Sequence, residues 1–217
     1  MIRLLITGFG PFPGVPRNPT AALAQSLAAD PRWRRLGVEA RALVLETSYG
    51  AIEGALLPAL RDVRPDAVLM LGVAARRRAI CLETRAVNRA TRRLPDASGR
   101  LPTRLAWKAG APFVRPARAP VPVLAAALRA GAPGATRVSR DAGRYLCNVS
   151  YFDALAEPHP AGLVFVHVPM PRTGSGRPLD RGAPGRLAMA RMRRALMSAA
   201  LALTRVSRRS PLRPMDG

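Results

Sequence analysis

The 217 residues include two cysteines and two histidines, and one of each stands where it could do nucleophilic chemistry. Cys147 follows the turn Asp141-Ala142-Gly143-Arg144 and lies early in a segment, 144–157, whose apolar residues Tyr145, Leu146, Val149, Phe152 and Leu155 recur at helical spacing. A thiol in the first turn of a helix meets free N–H groups and the positive end of the dipole, both of which favour the thiolate. On local sequence alone the commoner fate of such a cysteine is a small buried hydrophobe. His167 alters that balance. It closes the apolar strand Leu163-Val164-Phe165-Val166 and stands just before Pro169. A helix of about 14 residues is about 21 Å long, and a returning strand over 162–168 covers about 20–23 Å. Helix start and strand end therefore come back to one level, at the carboxyl edge of a parallel sheet, where open α/β folds place their sites. A thiol and an imidazole brought together there form a nucleophile–base pair.

Such a pair needs a third group to fix the imidazole tautomer, and the chain has few carboxylates to offer. Glu83 follows a buried strand in a β-rich segment. It has a second reading as an ion-pair partner, because Arg76, Arg77, Arg78, Arg85, Arg89, Arg92 and Arg93 all lie within ten residues of it. Spacing alone does not separate the two readings. The other histidine, His159 in Glu157-Pro158-His159-Pro160, falls between elements and has no expected role. Cys81 reads as a core residue or as a second oxidisable thiol.

The elements that must position these residues alternate along the chain. Residues 2–7 read as a strand that ends in the turn Gly8-Phe9-Gly10-Pro11-Phe12-Pro13-Gly14. Residues 19–29 read as a helix capped by Asn18 with Pro19 at its first position. Strand 37–45, helix 50–63 and buried strand 66–73 follow, then an extended stretch over 79–88 that carries Glu83. Segment 91–120 is rich in Pro, Gly and Arg and reads as a long irregular excursion. Helix 121–130, helix 144–157, strand 162–168 and a long amphipathic helix over 185–204 complete the set. The residues after Thr204 are basic and Pro-containing and read as a loose tail. The fold expected is α/β: a single three-layer α/β/α domain around a central, mostly parallel twisted sheet.

Composition narrows the function. Lys and Arg total 35 against 13 Asp and Glu, a net charge of +22, and only Lys108 is a lysine. An excess of this size attracts phosphate backbones, so an arginine-rich anion- or nucleic-acid-binding protein is one alternative. Against it, the arginines are spread from Arg3 to Arg213, aromatics are only 5% of the chain, and no recognition motif appears. Gly8-x-Gly10 is no dinucleotide fingerprint, since Pro13 takes the third glycine position and Pro11 and Pro13 lack the N–H groups that would cradle a phosphate. Two cysteines make no disulfide framework. The apolar run at Met1–Thr7 is too short for a signal segment, and no stretch approaches the roughly 20 apolar residues of a membrane span. A cytoplasmic protein with no membrane contact is expected.

Four blocks, in order, give the chain a family resemblance. They are Thr7-Gly8-Phe9-Gly10-Pro11-Phe12 with Asn18-Pro19; Gly72 to Asn88 with Glu83, Ala86 and Asn88 in register, running on to Arg93-Leu94-Pro95-Asp96; Ser139-x-x-Ala142-Gly143-x-Tyr145-Leu146-Cys147-Asn148; and His167-Val168-Pro169-Met170-Pro171. On these the chain resembles the pyroglutamyl peptidase type I family (pyrrolidone-carboxylate peptidases), which are cysteine exopeptidases. The resemblance implies Cys147 as nucleophile, His167 as general base and then acid, and Glu83 as the residue that orients the imidazole. It implies an oxyanion site made by the Cys147 backbone N–H and Arg93. It also implies a lactam pocket with Phe9 and Phe12 on the ring and backbone near Val73 on the amide, with Asn18 among the substrate-binding residues.

The implied partners are peptides with an N-terminal pyroglutamate, acted on without metal or cofactor by a homo-oligomer, a tetramer in the family. The domain would span 1–204, with 205–217 as tail. The chain departs from the family pattern at Ala75-Arg76-Arg77 (usually Gly-Gly-Arg), Glu83-Thr84-Arg85-Ala86 (Glu-Arg-Val-Ala) and Thr91-Arg92 (Asp-Ala). Cations beside Glu83 are expected to compete with His167 for it, and bulk at Ala75 and Arg76 to crowd the pocket. The alternative within the family is a non-catalytic relative that binds peptides.

Overall fold

The structure, a computed structural model, describes residues 1–12, 14–171 and 187–209. Strand β1 (Ile2–Phe9) leads through a turn to α1 (Pro19–Ala28), and the short α2 (Arg32–Arg35) precedes β2 (Val38–Leu45). A π-helical turn at Ile52–Leu56 runs into α3 (Leu57–Val63), followed by β3 (Ala67–Val73), β4 (Ile80–Glu83) and β5 (Arg85–Val87). After the irregular excursion come β6 (Val114–Pro116), α4 (Val121–Gly131), β7 (Thr136–Ser139), α5 (Leu146–Ala154), β8 (Gly162–Val168) and α6 (Met189–Arg209).

Six strands form the main sheet in the order β2-β1-β3-β8-β4-β7, and β5 pairs with β6 as a separate two-stranded sheet. From β2 to β8 every neighbouring pair is parallel. β4 runs antiparallel to β8, and β7 follows the direction of β4. Alternate side chains of the sheet serve two cores. Leu4, Ile6, Leu69, Leu71, Val164 and Val166 face α1, α4 and α6 through Leu23, Leu128 and Leu196. Leu5, Val68, Met70, Leu163 and Phe165 face the π turn, α3 and α5 through Ile52, Leu60, Val149 and Phe152. The result is the expected three-layer arrangement, and a strand buried on both faces reads as the continuous apolar run seen in β3 and β8. Among the described residues no helix is long and apolar enough to cross a membrane.

Several boundaries differ from those expected. β1 continues through Gly8 and Phe9, which pair with Val44 and Leu45, so Phe9 ends a strand and does not sit in the turn. α5 is nine residues long, starting at Leu146 and ending at Ala154, where fourteen were expected. Its length is therefore about 13.5 Å at ~1.5 Å per residue, and the connection 155–161 covers the rest of the return to β8. α6 extends to Arg209, five residues into the expected tail, because Leu203, Thr204 and Ser207 stay buried. The expected start of that helix at 185–186, the rest of the tail at 210–217, and Pro13 lie outside the described residues.

Two arginines hold the connection after α5: Arg61 forks onto the Glu157 carboxylate, and Arg118 takes the backbone. The Arg118 guanidinium donates to the carbonyl oxygens of Leu155 at 2.8 Å, Pro158 at 3.2 Å and Pro160 at 3.1 Å, and also to that of Glu157. These are carbonyls at a helix end and in an irregular segment, which have no ladder partner of their own. Arg118→Met keeps the apolar stem and removes the donors. It is expected to destabilise the fold by about 2–3 kcal/mol, read as a lower urea midpoint with an unchanged m value.

Candidate active site

The start of α5 is fixed before any catalytic group is considered. Gly143 adopts φ +86°, a left-handed conformation that suits glycine, and its N–H donates to Asp141 Oδ1 at 3.1 Å. Tyr145 is the extended N-cap residue, so Cys147 occupies the second helical position, where backbone N–H groups lack intrahelical acceptors. Asn148 then ties the helix to its neighbour. Its Oδ1 accepts from Val87 N–H at 2.9 Å, and its Nδ2 donates to the carbonyls of Val87 and Arg89, both at 2.8 Å. The fully buried amide thus acts as a short substitute strand against β5.

The three sheet strands beneath supply the rest. Gly72 on β3, His167 on β8 and Cys81 on β4 lie side by side in register, and Glu83 lies opposite Phe165, two residues further along β4. With the two-residue period of a strand, His167, Phe165, Cys81 and Glu83 share the face covered by α5. A Cβ placed on Gly72 would lie 2.8 Å from Cys147 Sγ and 2.7 Å from Phe165 Cζ. The missing side chain at Gly72 is therefore the space that the thiol occupies, next to His167. His167 Nδ1 meets Glu83 Oε1 at 2.9 Å, which leaves Nε2 as the nitrogen for the thiol. The imidazole also packs against Phe165 at a tilt of 50°, with ring centroids 4.9 Å apart.

Electrostatics follow from this burial. Burial by itself pushes the His167 pKa down. The hydrogen bond and charge of Cys147, followed by those of Glu83, outweigh it and raise the pKa to about 9. The imidazolium is thus the resting form across neutral pH. Glu83 is fully buried, and its Oε1 also accepts from Arg77 Nη1 at 2.5 Å, so the ion-pair reading and the imidazole-partner reading of this residue hold together. The expected competition does not displace His167. Ala75 and Arg76 are exposed, so their bulk turns outward.

The remaining residues singled out in the sequence fall around this centre. Arg93 is exposed, in a loop stapled to the start of α5 on both sides: Thr91 N–H donates to the Arg144 carbonyl at 2.6 Å, and Tyr145 OH donates to the Pro95 carbonyl at 2.8 Å. Among the described residues its guanidinium makes no hydrogen bond or ion pair. Phe9 is 3% exposed and packs in the core with Leu5 and Leu45, whereas Phe12 is half-buried in the turn and pairs with Val15. Asn18 Oδ1 accepts from Thr20 N–H at 3.1 Å, and its Nδ2 donates to the Gly10 carbonyl at 3.0 Å, so its amide locks that turn onto α1.

Val73 ends β3. Ala74 N–H points to β8, so the N–H of Val73 points the other way, towards β1. Pairing with β1 stops at Met70, three residues before Val73. Two residues that sequence reasoning passed over matter here, Gly72 and Tyr151, whose OH donates to the Glu83 carbonyl at 3.3 Å; of the arginines near Glu83 in sequence, Arg77 is the one that reaches it. A cluster of adjacent arginines carries no signal for which of them turns inward. His159 sits at the surface against Arg64.

With only two histidines, the ring resonances are simple to follow by NMR. One set is expected to titrate near pH 9. In Cys147→Ala the partner that raises the ring most is gone and only Glu83 opposes burial, so that titration should move down by at least one unit. A ring that keeps its high value in the variant would contradict the coupling.

Comparison with known proteins gives the same picture. The family model described as pyroglutamyl peptidase matches residues 2–205. A pyrrolidone-carboxylate peptidase of Gloeobacter violaceus is 37% identical over 173 residues, covering 77% of this chain and 82% of its own. The solved pyrrolidone carboxyl peptidase from Thermus thermophilus matches with a TM-score of 0.76 at 35% identity, covering 92% of this chain and 99% of that one. The pyrrolidone carboxyl peptidase from Thermococcus litoralis gives a TM-score of 0.82 at 27% identity, with 100% of both chains covered. The chain belongs to the pyroglutamyl peptidase family.

Proposed function

We infer that this protein is a cysteine peptidase that removes an N-terminal pyroglutamyl residue from peptides, with Cys147 as nucleophile, His167 as base and acid, and Glu83 orienting the imidazole. The observation that carries the assignment is the buried relay: the thiol lies over Gly72 beside His167, whose Nδ1 faces Glu83 at 2.9 Å. The thiolate attacks the pyroglutamyl carbonyl carbon, and the oxyanion is taken up by the Cys147 backbone N–H and Arg93. Such donors, aimed at developing charge, supply a large share of catalysis in acyl transfer. The imidazolium then gives its proton to the departing amine, leaving an acyl-enzyme and a neutral imidazole. That imidazole takes a proton from water as the water attacks the thioester, and pyroglutamate and the thiol are released.

The pocket suits the substrate chemically. Pyroglutamate is a flat, neutral, partly apolar lactam, which calls for aromatic faces and backbone hydrogen bonds and not for a charged partner. Phe12 supplies a half-buried ring, Phe9 a buried one at the end of β1, and the Val73 backbone the amide partner. Asn18 acts by holding the turn that carries Phe12. The reading extends to a homo-oligomer in the cytoplasm, and light scattering is expected to return four chains of 23.2 kDa.

Freshly reduced protein is expected to hydrolyse a chromogenic pyroglutamyl amide, to lose that activity on thiol alkylation, and to fall to background in Cys147→Ala. Arg93→Ala should lower kcat by about 10²–10³-fold, the loss typical of one oxyanion donor. Folded, reduced protein without turnover would overturn the assignment.

A further inference from the structure

Of the three consecutive arginines after β3, Arg76 and Arg78 face solvent and Arg77 turns in, its N–H closing a turn onto the Ala74 carbonyl at 2.9 Å. Its guanidinium joins two parts of the site. Nη1 lies 2.5 Å from Glu83 Oε1, the same oxygen that faces His167, and 3.4 Å from Ser139 Oγ. Nη2 donates to the Asp141 carbonyl at 2.5 Å, in the segment that leads into the nucleophile helix. Glu83 Oε2 is buried with no hydrogen-bond partner. Both attachments of the carboxylate thus fall on one oxygen. The terminal torsion of a glutamate is otherwise broad and soft, so the orientation of Glu83 rests on those two contacts.

We propose that Arg77 is a positioning residue for catalysis, clamping Glu83 Oε1 against His167 while its second nitrogen ties that carboxylate to the strand-to-helix segment before Cys147. The proposal rests on the peptidase assignment above and adds to it a residue that touches neither substrate nor thiol. A planar fork with donors on both nitrogens can make the two contacts at once, which a lysine ammonium at the end of a flexible stem cannot.

The clamp also sets how much negative charge the imidazolium feels, because Oε1 is shared with a cation. The other charged or titratable groups around the dyad are Cys147 and Tyr151 from α5, Cys81 from β4, Arg137 from β7, and Asp141 with Arg144 from the segment before α5. Of these, none bonds a Glu83 carboxylate oxygen among the described residues. Without Arg77 the carboxylate would act on His167 undivided, and the imidazolium would hold its proton more tightly. Arg77 is 30% exposed, so solvent moderates the effect without removing it.

The test is kinetics on a pyroglutamyl amide with wild type, Arg77→Met and Arg77→Lys, and with Cys147→Ala as blank. Arg77→Met is expected to lower kcat about tenfold with KM within about threefold, since an interaction outside the substrate pocket is lost. It should also move the alkaline limb of the pH profile upwards. Arg77→Lys should keep that limb near its wild-type position but recover only part of kcat, as the charge is restored without the fork. Wild-type kcat in Arg77→Met, or a lower kcat with an unmoved limb, would overturn the proposal. If Arg77→Met does not fold, wild-type kcat in Arg77→Lys overturns it equally. If the wild type itself shows no turnover, the peptidase assignment fails separately. The clamp is then read from the His167 ring titration, which should rise in Arg77→Met and which contradicts the clamp if it stays put.

Discussion

A single carboxylate oxygen organises this protein. Glu83 has no exposed surface, and a buried carboxylate without partners is among the most expensive groups a fold can hold. Its two partners arrive along different parts of the chain, His167 from the end of β8 and Arg77 from the loop before β4, and both reach Oε1. The reversal of β4 makes this convergence possible. Because β4 runs antiparallel to β8, its first residues lie at the edge where His167 sits, and Glu83 lies two residues deeper in the sheet. The loop that carries Arg77 is thereby brought to the edge of the site, and the guanidinium reaches inward past Cys81 to the carboxylate. A parallel β4 would have placed Glu83 at that edge and Arg77 at the far end of the sheet.

The thiol depends on the same geometry from the other side of the layer. Cys147 has its place because Gly72 has no side chain and because Asn148, Thr91 and Tyr145 bind the first turn of α5 to the loops beside it. The proton affinity of His167 records the outcome. Burial alone would leave the ring neutral, and the hydrogen bonds and charges of Cys147 and Glu83 keep it protonated. Cys147 and Glu83 both raise the affinity of the ring for its proton, so the loss of either is felt at His167.

Much of this was legible in the sequence, and the parts that were not have specific causes. The strand at 162–168 and the capped helix beginning at Pro19 stand out through apolar runs and cap chemistry, and both occur within a residue of where they are read. The meeting of Cys147 and His167 was also legible, although the length argument for it overstated α5 by five residues; the connection held by Arg118 makes up the difference. The direction of β4 was not legible, since Ile80-Cys81-Leu82-Glu83 is buried throughout and carries no alternation. β7 was missed because Thr136-Arg137-Val138-Ser139 is short, with three polar residues of four, on the edge of the sheet. For Glu83 the sequence offered an imidazole or an ion pair as rivals, and two donors on one oxygen satisfy both.

The arginine excess takes on a structural meaning against this background. With 35 cations and 13 carboxylates, most basic side chains have no acid to pair with. Many turn to the backbone instead. Arg85 donates to the Arg140 carbonyl, Arg115 to that of Phe152, Arg191 to that of Pro133, Arg193 to that of Ser26, and Arg118 to five carbonyls around the end of α5. A guanidinium suits this use, with five donors in a rigid plane and weaker hydration than an ammonium, so an arginine can satisfy carbonyls in irregular segments that no ladder reaches. The single lysine, Lys108, pairs with Glu53 and Asp153 in the ordinary way. Arg77 combines the two habits, with one nitrogen on a carboxylate and the other on a carbonyl. A composition that looks like a surface property therefore reaches into the candidate site, where the same fork that elsewhere fastens loops fastens the carboxylate that holds the His167 imidazole.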